Sequence, residues 1–171
     1  MDGFGSTDAE MLTRPTVYRD GLFTGQVALV SGGGSGLGMA TAVLLARLGA
    51  RLVICGRTQE KLDAVQAALA GRGLAADTHA MTIRDPEQVN AMMDAVFEKH
   101  GRLDLLVNNA GGQFPQAAID FTTKGWLAVV DTNLNGTWWM MQAAARRWRD
   151  EPFDGDPAHS AESVARGRLG S

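Results

Sequence analysis

The sequence holds a single cysteine, Cys55, which excludes an internal disulfide. Cys55 lies in an apolar run and reads as a small buried hydrophobe rather than a nucleophile. No apolar stretch approaches the ~20 residues that a bilayer-spanning helix needs. Residues 1–20 lack a long apolar core and carry Asp2, Asp8 and Glu10, which argues against a secretory leader. Basic charge is in short supply. Sixteen Lys and Arg stand against 19 Asp and Glu, and a formal net charge of −3 gives no reason to expect nucleic acid as a partner. The one basic cluster, Arg146, Arg147 and Arg149, falls at the end of a helical pattern, where cations suit the helix dipole. His79, His100 and His159 show no ligand spacing and read as surface residues, so no metal site is expected. These absences leave a cytoplasmic enzyme or cofactor binder, with neither membrane nor nucleic acid among its partners. What is present suits one globular domain: 171 residues, 45% of them hydrophobic and 20% charged.

The most informative stretch is 31–38, Ser-Gly-Gly-Gly-Ser-Gly-Leu-Gly. The apolar run Val27-Ala28-Leu29-Val30 leads into it. Leu37, Ala40, Leu44 and Leu48 follow at the spacing of one helix face. The glycines therefore sit where a strand turns into a helix. Such a turn aims free backbone N–H groups and the positive end of a helix dipole at one point, a ready site for a phosphate. The pattern is [S/T]-G-x-x-x-G-x-G, with Gly32, Gly36 and Gly38 at its fixed places. The alternative is a plain tight turn.

Strands are expected at 26–30, 51–55, 75–81 and 103–107. Helices are expected at 36–48, after Thr58 with Leu62, Val65 and Leu69 inward, and after Asp85-Pro86 with Val89, Met92, Met93, Val96 and Phe97 inward. This alternation predicts an α/β fold, a doubly wound parallel sheet with helices on both faces. One long helical pattern runs from 123 to about 149. Leu127, Val130, Leu134, Met141, Ala145 and Trp148 fall near one stripe, and Trp138, Trp139 and Met140 add apolar surface elsewhere. Such a helix is buried in its own core or against another subunit, so a homo-oligomer through this helix is one of two open readings. Residues 1–22 read as a flexible leader, 23–149 as the dinucleotide-binding domain, and 150–171 as a disordered or unrelated tail.

Two further stretches bear on chemistry. The second strand ends in Gly56-Arg57, with no acid to receive a ribose 2′-hydroxyl. An Arg there can receive a 2′-phosphate instead, which favours NADP(H) over NAD(H); a solvated surface Arg is the alternative. The fourth strand runs into Asn108-Asn109-Ala110-Gly111-Gly112, polar amides that must satisfy backbone groups. Asn133, in the long helix, is an amide in apolar company and needs a partner.

Taken together, 31–38, 108–111 and Asn133 resemble the short-chain dehydrogenase/reductases, in order and spacing, over residues 24–149. Gly111-Gly112-Gln113-Phe114 and the run 131–137 are similar to the enoyl-CoA and 2,4-dienoyl-CoA reductase branch. The resemblance implies a Rossmann-type fold. It implies that Gly32, Gly36 and Gly38 shape a pyrophosphate site with Ser31, Ser35 and Leu37 beside it, and that Arg57 holds a 2′-phosphate. It implies that Asn108, Ala110 and Gly111 line the cofactor's ribose and brace the sheet, and that Asn133 is the Asn of the family's Asn-Ser-Tyr-Lys catalytic group. Thr82 stands where many members carry an Asp that meets adenine, and Ile83's backbone could serve there. One departure is large. The family's Ser and Tyr-x-x-x-Lys are absent: the only tyrosine is Tyr18, and the only lysines are Lys61, Lys99 and Lys124. The resemblance thus implies an NADP(H)-dependent oxidoreductase of a small molecule, with an acyl-CoA thioester as candidate substrate of the complete enzyme. It also leaves open an inactive nucleotide-binding fragment or an interaction module, its sheet truncated after the fourth crossover helix. The chain does not end in a Ser-Lys-Leu-type peroxisomal signal.

Overall fold

The computed structural model describes residues 7–150. Its elements are α1 (Asp8–Thr13), β1 (Val27–Ser31), α2 (Gly36–Arg47), β2 (Arg51–Gly56), α3 (Gln59–Ala70), β3 (Ala76–Ala80), α4 (Pro86–His100), β4 (Leu105–Asn108), α5 (Thr123–Val130) and α6 (Thr137–Asp150). A short 3₁₀ turn (Ala118–Asp120) precedes α5, and a π-turn (Asp131–Gly136) joins α5 to α6. The four strands form one parallel sheet in the order β3-β2-β1-β4. β1 is central; its Val30 lies between Ile54 of β2 and Val107 of β4.

Parallel strands covered on both faces read as unbroken apolar runs, and β1 is one. Val27 and Leu29 face a core shared with α4 and α6, while Ala28 and Val30 face one shared with α2 and α3. α4 carries clear punctuation. The Asp85 carboxylate accepts from the Glu87 and Gln88 N–H groups, Pro86 opens the helix, and Gly101 closes it at φ +72°. The expected doubly wound α/β arrangement is present, with strand limits shifted by one or two residues.

Four expectations need correction. Leu37 does not face the sheet; it is 82% exposed, and Met39, Ala42, Val43 and Ala46 form the buried face of α2. The cause is tertiary: Gly38 packs against the Gly32 carbonyl and fixes the helix phase there. Part of the expected flexible leader is the helix α1, with a Thr7–Glu10 capping box. It docks on α2, where the Arg47 guanidinium donates to the Met11 and Arg14 carbonyls at 2.7 and 2.6 Å. The expected tail over 151–171 lies outside the described residues.

The long helix is interrupted. Its π-turn adds a residue to the turn and so rotates the following face by about 100°. Leu127 ahead of the turn, Leu134 within it, and Met141 and Trp148 after it are substantially exposed, and Gly136, Met140, Ala143 and Ala144 are the buried set. Trp139 packs against the core, while Trp138 is half exposed. Arg147 is an inter-helix tie as well as a dipole partner: it bonds the Asp94 carboxylate and the Asn90 carbonyl of α4. His100, finally, is mostly buried, with Nε2 2.8 Å from Asp77 Oδ2, and His79 is half-buried.

Among the described residues β4 is an edge strand. The Trp148 indole N–H donates to the Leu103 carbonyl just ahead of it, at 2.5 Å. No described helix is long and apolar enough to cross a membrane, and no described group of His, Cys, Asp or Glu could hold a metal ion.

Candidate functional site

A cleft opens at the C-terminal ends of β1, β2 and β4. The glycine turn forms one wall, Arg57 and the start of α3 a second, residues 81–84 a third, and residues 109–111 with Thr132 the fourth. Ligands of open α/β sheets bind at such a crevice, where strand order reverses on either side of the first strand.

The turn is built from β1 upward. Gly32 adopts φ +68° and donates its N–H to the Cys55 carbonyl at 2.8 Å, which pins the turn to β2. A Cβ on Gly38 would overlap the Gly32 carbonyl oxygen and Asn109 Nδ2, so only glycine lets α2 start this close to the turn. Gly36 has φ +54° with open space where its Cβ would be, and it lies outside the cleft lining. Ser35 is the N-cap of α2, but its side chain makes no cap hydrogen bond. Among the described residues the first N–H groups of α2 thus have no side-chain cap, an arrangement that suits a pyrophosphate. Leu37 lies at the rim.

The sequence-expected residues separate into those at the cleft and those behind it. Gly32, Ser35, Leu37, Gly38, Arg57, Ala110 and Gly111 line it. Ser31 does not. It is fully buried, and its Oγ donates to the Val107 carbonyl at 3.3 Å and accepts from the Asn109 and Ala110 N–H groups at 3.1 and 3.0 Å. Its hydroxyl joins β1 to the turn after β4 and has no capacity left for a ligand. Asn108 also stays behind the lining; its Oδ1 is buried with no hydrogen-bond partner among the described residues. The bracing amide is Asn109, a role the sequence reading missed. Asn109 Nδ2 donates to the Ser31 carbonyl at 3.0 Å and the Gly32 carbonyl at 3.3 Å. The available signal was the demand of a strand end for backbone partners, which either Asn could have met.

Asn133 sits inside the π-turn and reaches across to the loop after β4. Its Oδ1 accepts from the Gly112 N–H at 3.0 Å, and its Nδ2 donates to the Gly112 carbonyl at 2.8 Å. The same Oδ1 lies 2.8 Å from where a Cβ on Gly111 would be. The π-turn also meets the opposite wall, where Asp131 pairs with Arg84 at 3.1 Å and Gly136 abuts Ile83. Thr82 Oγ1 accepts from the Arg84 N–H at 3.3 Å.

The charge of the cleft is one-sided. Arg57, Lys61 and Arg84 line it, and among the described residues no acidic side chain does. Cys55 forms part of its floor, and burial pushes its thiol up to about 12, so it is no nucleophile at neutral pH. Tyr18, Lys99 and Lys124 lie outside the lining.

Residues 26–155 match the family model described as short chain dehydrogenase. A protein described as a ketoacyl reductase of the monensin polyketide synthase, from Streptomyces virginiae, is 41% identical over 120 residues, covering 70% of this chain and 46% of that protein. The peroxisomal 2,4-dienoyl-CoA reductase of Arabidopsis thaliana is 36% identical over 129 residues, covering 75% and 43%. The chain spans about half the length of the curated relatives it matches. A metagenomic short-chain oxidoreductase solved in complex with NADP has a TM-score of 0.68 at 37% identity, covering 72% of this chain and 57% of that one. An NAD+-bound xylitol dehydrogenase has a TM-score of 0.73 at 26% identity, covering 85% and 61%. The chain belongs to the short-chain dehydrogenases.

Proposed function

We propose that this chain is the nucleotide-binding part of an NADP(H)-dependent oxidoreductase whose small-molecule substrate is an enoyl-CoA thioester. The observation that carries the cofactor assignment is Arg57 at the end of β2, in a cleft with cationic but no acidic lining. A ribose 2′-hydroxyl is held by an acid at this place, whereas a 2′-phosphate is held by an Arg. The glycine turn suits the pyrophosphate because its helix N-terminus is uncapped and Gly36 leaves the approach open. Ser35 and Leu37 flank that contact, and Ala110 and Gly111 offer a small-residue surface to the ribose. The cofactor, when bound, supplies the hydride. Asn133 acts on the site by holding Gly112, and so the loop that follows β4, at both ends of one residue. The substrate class is supported by similarity to the 2,4-dienoyl-CoA reductase and by Gly111-Gly112-Gln113-Phe114. A cytoplasmic location belongs to the same reading.

A second reading is favoured by one observation: these 171 residues contain no Tyr-x-x-x-Lys. On that reading the chain by itself binds the cofactor without turning it over. Fluorescence titration with NADPH and NADH, followed by NADPH oxidation with an enoyl-CoA, separates the two. The parent is expected to prefer NADPH, and Arg57→Asp to reverse the preference. Equal affinity for both nucleotides in the parent would sink the NADP(H) assignment. Turnover by this chain would overturn the second reading.

A further inference from the structure

We infer that Lys61 is a second specificity-determining residue of the cleft, holding the 2′-phosphate of the adenosine ribose together with Arg57. The inference rests on the NADP(H) reading above. Arg57 follows directly on β2, and Lys61 lies in the first turn of α3; both line the same cleft. The glycine turn closes directly on Lys61, since a Cβ on Gly34 would stand 3.2 Å from Lys61 Cβ and 3.5 Å from its carbonyl carbon. The lysine stem therefore starts where the turn and α3 meet.

Charge accounting assigns the role. Of the three cations that line the cleft, Arg84 is paired with Asp131 at 3.1 Å. Neither the Arg57 nor the Lys61 side chain has an ion-pair or hydrogen-bond partner among the described residues, and no acid lines the cleft to neutralise them. The nearby acids on α3 do not serve: Asp63 accepts from Gln59 at 2.6 Å, and Glu60 lies outside the lining. Two unpaired like charges on one wall repel each other, and a dianionic phosphate between them removes that repulsion. A neutral 2′-hydroxyl does not. The ammonium on its four-carbon stem serves as a point charge, while the Arg57 guanidinium offers the planar fork.

The test uses fragments that differ only in the 2′-phosphate. Adenosine 2′,5′-bisphosphate and adenosine 5′-monophosphate are titrated by calorimetry into the parent, Lys61→Gln, Lys61→Arg and Arg57→Gln. Lys61→Gln is expected to weaken the bisphosphate about three- to tenfold and leave the monophosphate unchanged, as loss of one charge-assisted contact at a solvated site would do. Lys61→Arg should retain most of the affinity. Unchanged monophosphate binding also shows that the variant is folded. Equal weakening of both fragments would place Lys61 at the 5′-phosphate side and overturn the inference. No change in either would make it a solvated cation and overturn it, while the Arg57 assignment stands if Arg57→Gln still discriminates. If the parent itself does not prefer the bisphosphate, the NADP(H) reading fails and this inference falls with it.

Discussion

Asn133 holds Gly112 at both polar ends of one residue, accepting from its N–H at 3.0 Å and donating to its carbonyl at 2.8 Å. The carboxamide thereby joins a π-turn in the long helix to the loop that leaves β4. π-turns of this kind occur preferentially at functional sites. Asn133→Ala removes both bonds, at an expected cost of about 1–2 kcal/mol measured by urea denaturation. Asn133→Asp keeps the acceptor and loses the donor, so it should fall between the parent and Ala. A parent-like midpoint for Asn133→Ala would show that the clamp contributes nothing to the fold.

Gly36 tests the ligand approach without disturbing packing. A Cβ there meets nothing within 4 Å, yet the residue stands at φ +54°. Gly36→Ala should cost about 1–2 kcal/mol of stability for the left-handed backbone alone. Its effect on NADPH affinity should be distinctly larger, because the added methyl occupies the approach to the uncapped first turn of α2. Thermal melting and nucleotide titration on the same sample separate the two effects. Unchanged affinity would remove Gly36 from the binding surface.

What could be read ahead of the structure was local chemistry. Val27-Ala28-Leu29-Val30 announces a strand buried on both faces, and Asp85-Pro86 announces a helix start, because each signal sits within a few residues. What escaped depends on contacts far along the chain. The hydroxyl of Ser31 follows the glycine-turn pattern, but its partners lie 76 to 79 residues away, and they turn it into a brace. The phase of α2 is set by Gly38 against Gly32, so a periodic count that begins at Leu37 starts off the buried face and reaches it only at Leu48. The long helical pattern averages over a π-turn whose neighbours, Ile83 and Arg84, belong to another loop. The glycine turn was thus legible as the junction of a strand and a helix, while the choice of Asn109 over Asn108 as brace was not.

The Asp77 cluster predicts how stability responds to acid. His79 is half-buried, and burial, aided by the Lys99 and His100 charges, holds its pKa below the ordinary 6.5 against the pull of Asp77. As pH drops below about 6.5 the unfolded chain takes up a proton that the folded chain refuses, so stability declines and then levels off. Burial by itself would raise the Asp77 carboxyl, but hydrogen bonds and charge from Lys99 and His100 outweigh it and leave it below the usual 3.8. Its contribution is complete above that value and disappears as pH falls through the lowered one. Urea midpoints measured from pH 8 down to pH 3 should therefore fall in two steps. His79→Gln should remove the upper step and Asp77→Asn the lower. A parent midpoint that is flat between pH 7.5 and 5.5 would contradict the His79 assignment.

Met140 and Leu134 sit six residues apart on what sequence periodicity treats as one helix, and their environments are opposite. Met140 is fully buried in the core between the sheet and α4, whereas Leu134 is 65% exposed. Met140→Ala should cost about 2–5 kcal/mol, the range for a large core side chain cut back to a methyl. Leu134→Lys should leave the urea midpoint within about 0.5 kcal/mol of the parent, as a surface substitution does. The same Lys bears on association. Leu134 is one of several exposed large apolar side chains of α5, the π-turn and α6, with Trp126, Leu127, Trp138 and Met141, and among the described residues β4 is an edge strand. Exposed apolar area of this kind and an edge strand each favour contact between copies. Light scattering should show the parent self-associating with concentration and Leu134→Lys doing so less. Equal association of both, with equal stability, would move the contact off this helix and onto the β4 edge alone.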